Sequence, residues 1–321
     1  MKYSYCGKSG LQLPQISLGL WHNFGFADDY ETAREMIIHA FEQGVTHFDL
    51  ANNYGPPPGS AESNFGRILK ENLSSHRDEM IISSKAGHLM WEGPYGDGSS
   101  RKQLMASINQ SLKRTGLDYF DIFYSHRFDP FTPIEETMQA LVDIVRAGKA
   151  LYVGISKYPP EEARIAMRYL MDSDVPCLIF QDKYSMFNRQ PEQEILGLTR
   201  EFGSGFIAFS PLAQGLLTDK YLHGIPEYSR AADPAGFLQR EQVSPTLVEK
   251  VTQLNEVADN RGQSMAEMAL AWALRDEGVT SLIVGARNVD QLKENLDALD
   301  NITFSKEELL LIDQILDGAT L

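Results

Sequence analysis

The feature that most constrains this 321-residue chain is a repeated alternation of short apolar runs with amphipathic segments. The runs Ile16–Gly19, Thr46–Asp49, Met80–Ser84, Phe120–Ser125, Leu151–Ile155, Leu178–Gln181, Phe206–Phe209 and Ser281–Val284 are mostly apolar on both parities. That pattern suits parallel strands covered on both faces. Between them the spacing turns helical. Tyr30–Gln43 places Ala33, Met36, Ile37, Ala40 and Phe41 on one face and stops at Gly44. Thr132-Pro133-Ile134-Glu135 predicts a helix start, with Thr132 as N-cap and Glu135 closing a capping box. Ser264…Glu267 and Ser305…Glu308 predict two more such boxes.

From Asp49 to Phe209 the strand ends recur at about the thirty-residue length of a βα unit. The last interval, Phe209 to Val284, is far longer and must hold an inserted loop and an extra helix over Thr246–Arg261. Eight α/β units fit a (β/α)8 TIM barrel with extra helices, although the count alone also allows an open doubly wound sheet. Tyr3–Cys6 and Leu11–Pro14, joined by Gly7-Lys8-Ser9-Gly10, predict an N-terminal β-hairpin outside the barrel. No linker or composition shift interrupts residues 1–321, so one domain is expected.

Composition narrows the partners. Hydrophobic residues make up 43% and charged ones 23%, which excludes a disordered or fibrous chain. With 29 Lys and Arg against 44 Asp and Glu, the net charge of −15 argues against nucleic acid and anionic membranes. An anionic ligand must therefore find a local positive site. Two cysteines, Cys6 and Cys177, suggest a reducing compartment. The N-terminus lacks an apolar signal core, and no run approaches the roughly 18 residues of a membrane span, so a cytoplasmic protein is expected. No Gly-x-Gly-x-x-Gly follows a strand, no P-loop occurs, and the seven histidines show no metal-ligand spacing.

In a barrel, functional groups gather where strands end and βα loops begin. Asp49 ends the second strand, Tyr54 lies in its loop, and Lys85 and His126 follow the third and fourth. Taken singly, each has an ordinary reading as a cap, a loop aromatic, a solvated cation or a core residue. Together they converge on one patch. A Tyr titrates near 10 when free, and an adjacent ammonium should lower that value. Asp49 would keep Lys85 charged, and His126 could hydrogen-bond a carbonyl oxygen. Such a set can protonate an oxygen that gains negative charge as hydride reaches carbon.

In the contexts HFDLANNYG, IISSKAG and FDIFYSHR, these four residues resemble the Asp-Tyr-Lys-His tetrad of the aldo-keto reductases. The resemblance covers essentially the whole chain and implies a (β/α)8 barrel, NADPH/NADP+ as cofactor and a small aldehyde substrate. LGLWHNFG, NNYGPPPGSAE, PLAQGLLTDKYLHGIP and RGQSMAEMALAW look like a bacterial branch acting on glyceraldehyde 3-phosphate. That branch is related to the potassium channel β subunits. The resemblance assigns catalysis to Asp49, Tyr54, Lys85 and His126. It places Trp21, Asp49, Ser156, Lys157 and Gln181 at the cofactor, with Phe209 stacking on the nicotinamide. Ser210, Pro211, Leu212, Gly215 and Lys220 would cover the pyrophosphate, while Gly285, Arg287, Gln291, Glu294 and Asn295 would meet the adenosine end. Arg287 suits a 2′-phosphate, because a guanidinium fork matches phosphate geometry. Two rival readings are a cofactor-sensing regulatory subunit with slow turnover, and an aldolase using Lys85 as a Schiff base. Related enzymes often form homo-oligomers, but no interface is legible in the sequence.

Overall fold

The computed structural model describes residues 1–227, 229–233, 236 and 238–317. Strands β1 (Tyr3–Tyr5) and β2 (Gln12–Pro14) form the antiparallel N-terminal hairpin. The barrel strands are β3 (Ile16–Gly19), β4 (His47–Asp49), β5 (Ile81–Ala86), β6 (Phe120–Ser125), β7 (Ala150–Ser156), β8 (Cys177–Lys183), β9 (Gly205–Phe209) and β10 (Ser281–Val284). Neighbours pair in parallel all the way round, and β10 joins both β9 and β3. That closure excludes the open sheet.

Helices α1 (Tyr30–Glu42), α2 (Ser60–Ile68), α3 (Arg101–Thr115), α4 (Ile134–Arg146), α5 (Pro160–Asp172) and α6 (Ile195–Phe202) connect successive strands from β3 to β9. Between β9 and β10 lie α7 (Pro245–Asn260) and α8 (Met265–Ala273); α9 (Val289–Asp297) and α10 (Lys306–Leu316) follow β10. The long last interval does carry its extra helix, α7, which Ser244 caps and Pro245 opens. The expected capping boxes at Ser264/Glu267 and Ser305/Glu308 both form. The one at Thr132 does not. Helix α4 begins at Ile134 with no side-chain cap, because Thr132 Oγ1 donates to Asp129 Oδ2 at 2.8 Å. Asp129 stands just upstream and also receives the backbone N–H groups of Ser99 and Phe131. Its carboxylate is the stronger acceptor and fixes the hydroxyl there.

The N-terminal end of the barrel is closed by the hairpin. Its Cys6 and Leu13 pack on Ile122, Tyr124, Ile179, Ile207 and Ile283 inside the barrel. The N–H of Lys8 donates to the Gly203 carbonyl, just before β9. The Tyr124 ring needs Gly154 on the next strand, where a Cβ would lie 2.5 Å from the ring. With that end filled, only the C-terminal end remains open to ligands. Among the described residues no helix is long and apolar enough to cross a membrane.

Candidate active site

A cavity of about 400 Å³ opens at the C-terminal ends of the strands. Asp49 of β4 borders it, and β5 sets the buried Lys85 against Asp49; the pair forms the floor of the site. Lys85 lies within β5 rather than after it, since β5 keeps pairing with β6 through Lys85–Tyr124 and Ala86–Ser125. On the inner parity of its strand, Lys85 donates from Nζ to Asp49 Oδ2 at 2.5 Å and to the Leu50 carbonyl at 2.8 Å. The two side chains are 0% and 3% exposed. Burial pulls the Lys85 pKa down, while the charge of Asp49 and its hydrogen bond pull it back up.

A chain of hydrogen bonds runs on across the barrel. Ser83 Oγ donates to Asp49 Oδ1 at 2.7 Å and lies 3.0 Å from His47 Nε2. His47 Nδ1 lies 2.8 Å from Ser17 Oγ, itself 2.7 Å from Ser281 Oγ. Burial lowers the His47 pKa to about 4, so the ring is neutral. A carboxylate only accepts, and a neutral imidazole carries one N–H. The hydroxyl proton of Ser83 therefore goes to Asp49, His47 donates from Nε2 to Ser83, and Ser17 donates to His47 Nδ1. Every donor points toward Asp49.

Tyr54 is half-buried at the edge of this floor. Its ring centroid is 5.3 Å from Lys85 Nζ and 6.0 Å from the His126 ring, which meets it edge-on. The expectation that Lys85 lowers the phenol pKa is corrected. It is raised well above 10, first by burial and then by the charge of Asp49. Lys85 is in contact with a carboxylate, so its positive field at the phenol is offset, and desolvation of the phenolate dominates. His126 is 6% exposed. Burial and then the charge of Lys85 push its pKa far down, so this imidazole too is neutral.

The residues expected at the cofactor lie around the same cavity. Ser156 ends β7, Gln181 sits in β8 and Phe209 ends β9, and all three border it. Gln181 Nε2 reaches Asp49 Oδ1 at 3.3 Å. Among the described residues Ser156 Oγ is buried without a hydrogen-bond partner. Ser210, Pro211, Leu212, Gly215 and Lys220 border it as well. In this loop Ser210, Ala213 and Gln214 take left-handed φ values of +53°, +46° and +61°. Such conformations cost about 1–3 kcal/mol each and collect at ligand clamps. Opposite stand Trp21, Gly285, Arg287 and Gln291. Gln291 Oε1 accepts the Arg287 N–H at 2.9 Å, and Asn288 Oδ1 caps α9. Glu294 is exposed and Asn295 buried on α9, and neither borders the cavity.

Residues 15–317 match the model of the aldo/keto reductase family. The chain belongs to that family. It is 56% identical to the L-glyceraldehyde 3-phosphate reductase of Escherichia coli O157:H7 over 323 residues, covering 99% of this chain and 93% of that protein. The enzyme of that name from strain K12 is 54% identical over the same shares. A probable voltage-gated potassium channel subunit beta from Oryza sativa subsp. japonica is 36% identical over 97% of this chain and 94% of its own. As an aldo/keto reductase the protein is an oxidoreductase for aldehydes, of a family that works with NAD(P)H.

Several cavity residues of this aldo/keto reductase escape the sequence reading. Arg230 sits on the short 3-10 turn Arg230–Ala232 inside the long insertion and borders the cavity with Lys220 and Arg287. Burial lowers the pKa of both Lys220 and Arg230, and the charge of Arg287 lowers them further. Three cations thus share one wall in a chain of net charge −15. Asn23, with φ +72°, donates from Nδ2 to the Ala286 carbonyl at 2.9 Å and ties the β3 loop to the β10 loop. His88 borders the cavity beside His126. The inner-parity position of His47, two residues before Asp49, was a readable signal. The aperiodic insertion gave none for Arg230.

Proposed function

We propose that this aldo/keto reductase uses NADPH to reduce L-glyceraldehyde 3-phosphate and similar small aldehydes, such as methylglyoxal, to alcohols. The observation that carries the reading is the buried Lys85–Asp49 pair beneath Tyr54 and beside His126. The cavity fits a dinucleotide. The buried, unpartnered Ser156 Oγ suits a carboxamide at one part of it, and three cations suit phosphates at another.

In this reading Ser156 and Gln181 would hold the nicotinamide amide, with Phe209, Trp21 and Lys157 lining its place. The Ser210–Gly215 loop and Lys220 hold the pyrophosphate. Arg287 and Arg230 would hold the 2′-phosphate, and Gln291, the member of the α9 trio that borders the cavity, the adenosine. A reduced nicotinamide held there would supply the hydride for the carbonyl carbon. His126, neutral, donates a hydrogen bond to the carbonyl oxygen and orients it. Tyr54 gives its proton to the oxygen as negative charge builds there. Its high pKa keeps that proton in place until an alkoxide demands it. Lys85 spends two of its three donors on Asp49 and Leu50. We assign the third to the Tyr54 oxygen, where it stabilises the phenolate as it forms. Asp49 keeps Lys85 charged despite burial.

Loss of reduced-nicotinamide absorbance with NADPH and a panel of aldehydes tests the reading. Turnover is expected with glyceraldehyde 3-phosphate and methylglyoxal. Tight NADPH binding without turnover on any aldehyde would replace the reductase with a cofactor-sensing subunit.

A further inference from the structure

A second positive cluster lies at the substrate side of the cavity, apart from the Lys220–Arg230–Arg287 wall. His88 stands two residues past β5 and Lys157 directly past β7, and both border the cavity with Tyr54 and His126. Lys157 takes a left-handed φ of +55°, and its Nζ lies 3.0 Å from His88 Nε2. An ammonium has no lone pair, so Lys157 donates and neutral His88 accepts, with the imidazole proton on Nδ1. The His88 ring meets that of His126 edge-on, 4.4 Å between centroids.

The cluster is held in place and short of negative charge. Arg127 donates from Nε to the Gly87 carbonyl at 2.8 Å and pins the loop that carries His88. Burial and the charges of Lys157 and Arg127 lower the His88 pKa to about 4; only Asp97 opposes them. Burial and the charges of Lys85 and Arg127 lower that of Lys157 to about 8; only Asp182 opposes them. Asp97 is already ion-paired with Arg127 at 2.8 Å, and burial raises Asp182 to about 6. Lys157 thus spends a donor on an imidazole where a carboxylate would be stronger. An anion arriving here would relieve repulsion among the cations.

We propose that Lys157 and His88 form an anion subsite for the terminal phosphate of the aldehyde substrate, which rests on the reductase reading above. A carbonyl held between Tyr54 and His126 puts the far end of a three-carbon chain one imidazole further out, beside His88 and Lys157. Lys157 then donates to a phosphate oxygen, and the His88 proton moves from Nδ1 to Nε2 to donate beside it. No net proton is taken up. This gives Lys157 a task on the substrate besides the place near the cofactor that family resemblance suggests.

The experiment compares kcat/KM for glyceraldehyde 3-phosphate with kcat/KM for glyceraldehyde, with NADPH saturating. Both substrates share one cofactor and one floor, so disturbance of either cancels in the ratio. Wild type is expected to favour the phosphorylated aldehyde. Lys157→Met should lower the ratio roughly ten- to a hundredfold, the weight of a charge-assisted hydrogen bond, and His88→Leu severalfold. Lys157→Arg should keep most of it. Glycerol 3-phosphate should inhibit glyceraldehyde reduction competitively in wild type and weakly in His88→Leu, which secures the test if Lys157→Met fails to fold. An unchanged ratio in both His88→Leu and Lys157→Met would overturn the subsite, as would a wild-type ratio near one. Failure of wild type to reduce either aldehyde would instead overturn the reductase reading.

Discussion

The floor and the wall of this cavity handle charge in opposite ways. On the floor, Lys85 and Asp49 neutralise each other at 2.5 Å, and burial keeps His47 and His126 uncharged. On the wall, burial and then the charge of Arg287 lower the pKa of both Lys220 and Arg230. The difference separates two tasks. A proton donor needs partners in place before the reaction, so its charges are paired inside the protein. A phosphate site needs positive charge gathered in one place, so three cations stand together on one wall. In a chain of net charge −15, that local excess must work against the overall field.

The comparison breaks most visibly at the floor. Tyr54→Phe should cut kcat by about 10²–10⁴, the usual weight of general acid catalysis, while NADPH affinity stays within a few-fold. Retention of more than roughly a tenth of kcat would remove Tyr54 from the donor role. Lys85→Met should be at least as damaging, and Asp49→Asn somewhat less. Breaking a buried pair also costs about 3–5 kcal/mol of stability, so thermal unfolding must be measured beside the rates. A folded Lys85→Met with near wild-type turnover would contradict the coupling of Lys85 to Tyr54.

At the wall the expected effect is smaller and falls on binding. Arg287→Ala should weaken NADPH roughly ten- to a hundredfold and leave NADH within a few-fold, by quenching of protein fluorescence. Arg230→Ala should act in the same direction. Equal losses for both nucleotides would move the 2′-phosphate contact to another residue. Turnover with saturating NADPH should hardly change, in contrast to the floor variants.

Between these extremes sits His47, buried between Ser17 and Ser83. His47→Leu leaves two buried hydroxyls short of a partner and loosens Ser83 on Asp49, without touching the reacting atoms. Stability should fall by about 1–3 kcal/mol and kcat by about fivefold, one hydrogen bond's worth. A kcat loss as large as that of Asp49→Asn would mean the chain of donors does more than hold Asp49 in place.

The barrel was largely legible because each strand is an apolar run bounded by a helix signal. Strands β3, β6 and β10 begin and end where the pattern places them. The misses have physical causes. β5 runs on past Ser84 because pairing with β6 continues through Ala86, which carries Lys85 into the barrel. Thr132 loses its capping role to the stronger acceptor Asp129. Asp49, Lys85 and His126 stand out as polar residues at the ends of apolar runs, with Tyr54 in the loop after the first of them. Ser17, His47, Ser83 and Ser281 share the inner parity, yet they lie inside the runs, where a lone polar residue leaves the strand pattern intact. Arg230 and His88 lie in loops, where neither period nor spacing marks a residue and only three-dimensional proximity reveals charge.

The smallest expected effect is an absence of change, and it tests the neutrality of the floor. For His126, burial and then the charge of Lys85 hold the pKa well below 6.5, so the ring stays neutral from that pH upward. His47, at about 4, is neutral over the same range. The Tyr54 pKa lies well above 10, so its proton remains in place through pH 8. Glyceraldehyde carries no titrating phosphate and should not engage Lys157. With NADPH saturating, its kcat/KM should therefore stay flat from pH 6.5 to 8, since that parameter then reports groups of the enzyme–NADPH complex before the aldehyde binds. A fall toward low pH with a midpoint near 6.5 would place a titrating imidazole on the floor, and His126→Asn would show whether it is His126. For glyceraldehyde 3-phosphate, kcat/KM should instead fall as pH rises through about 8, where Lys157 loses its proton. Parallel profiles for the two aldehydes would erase the distinction between a neutral floor and charged binding walls.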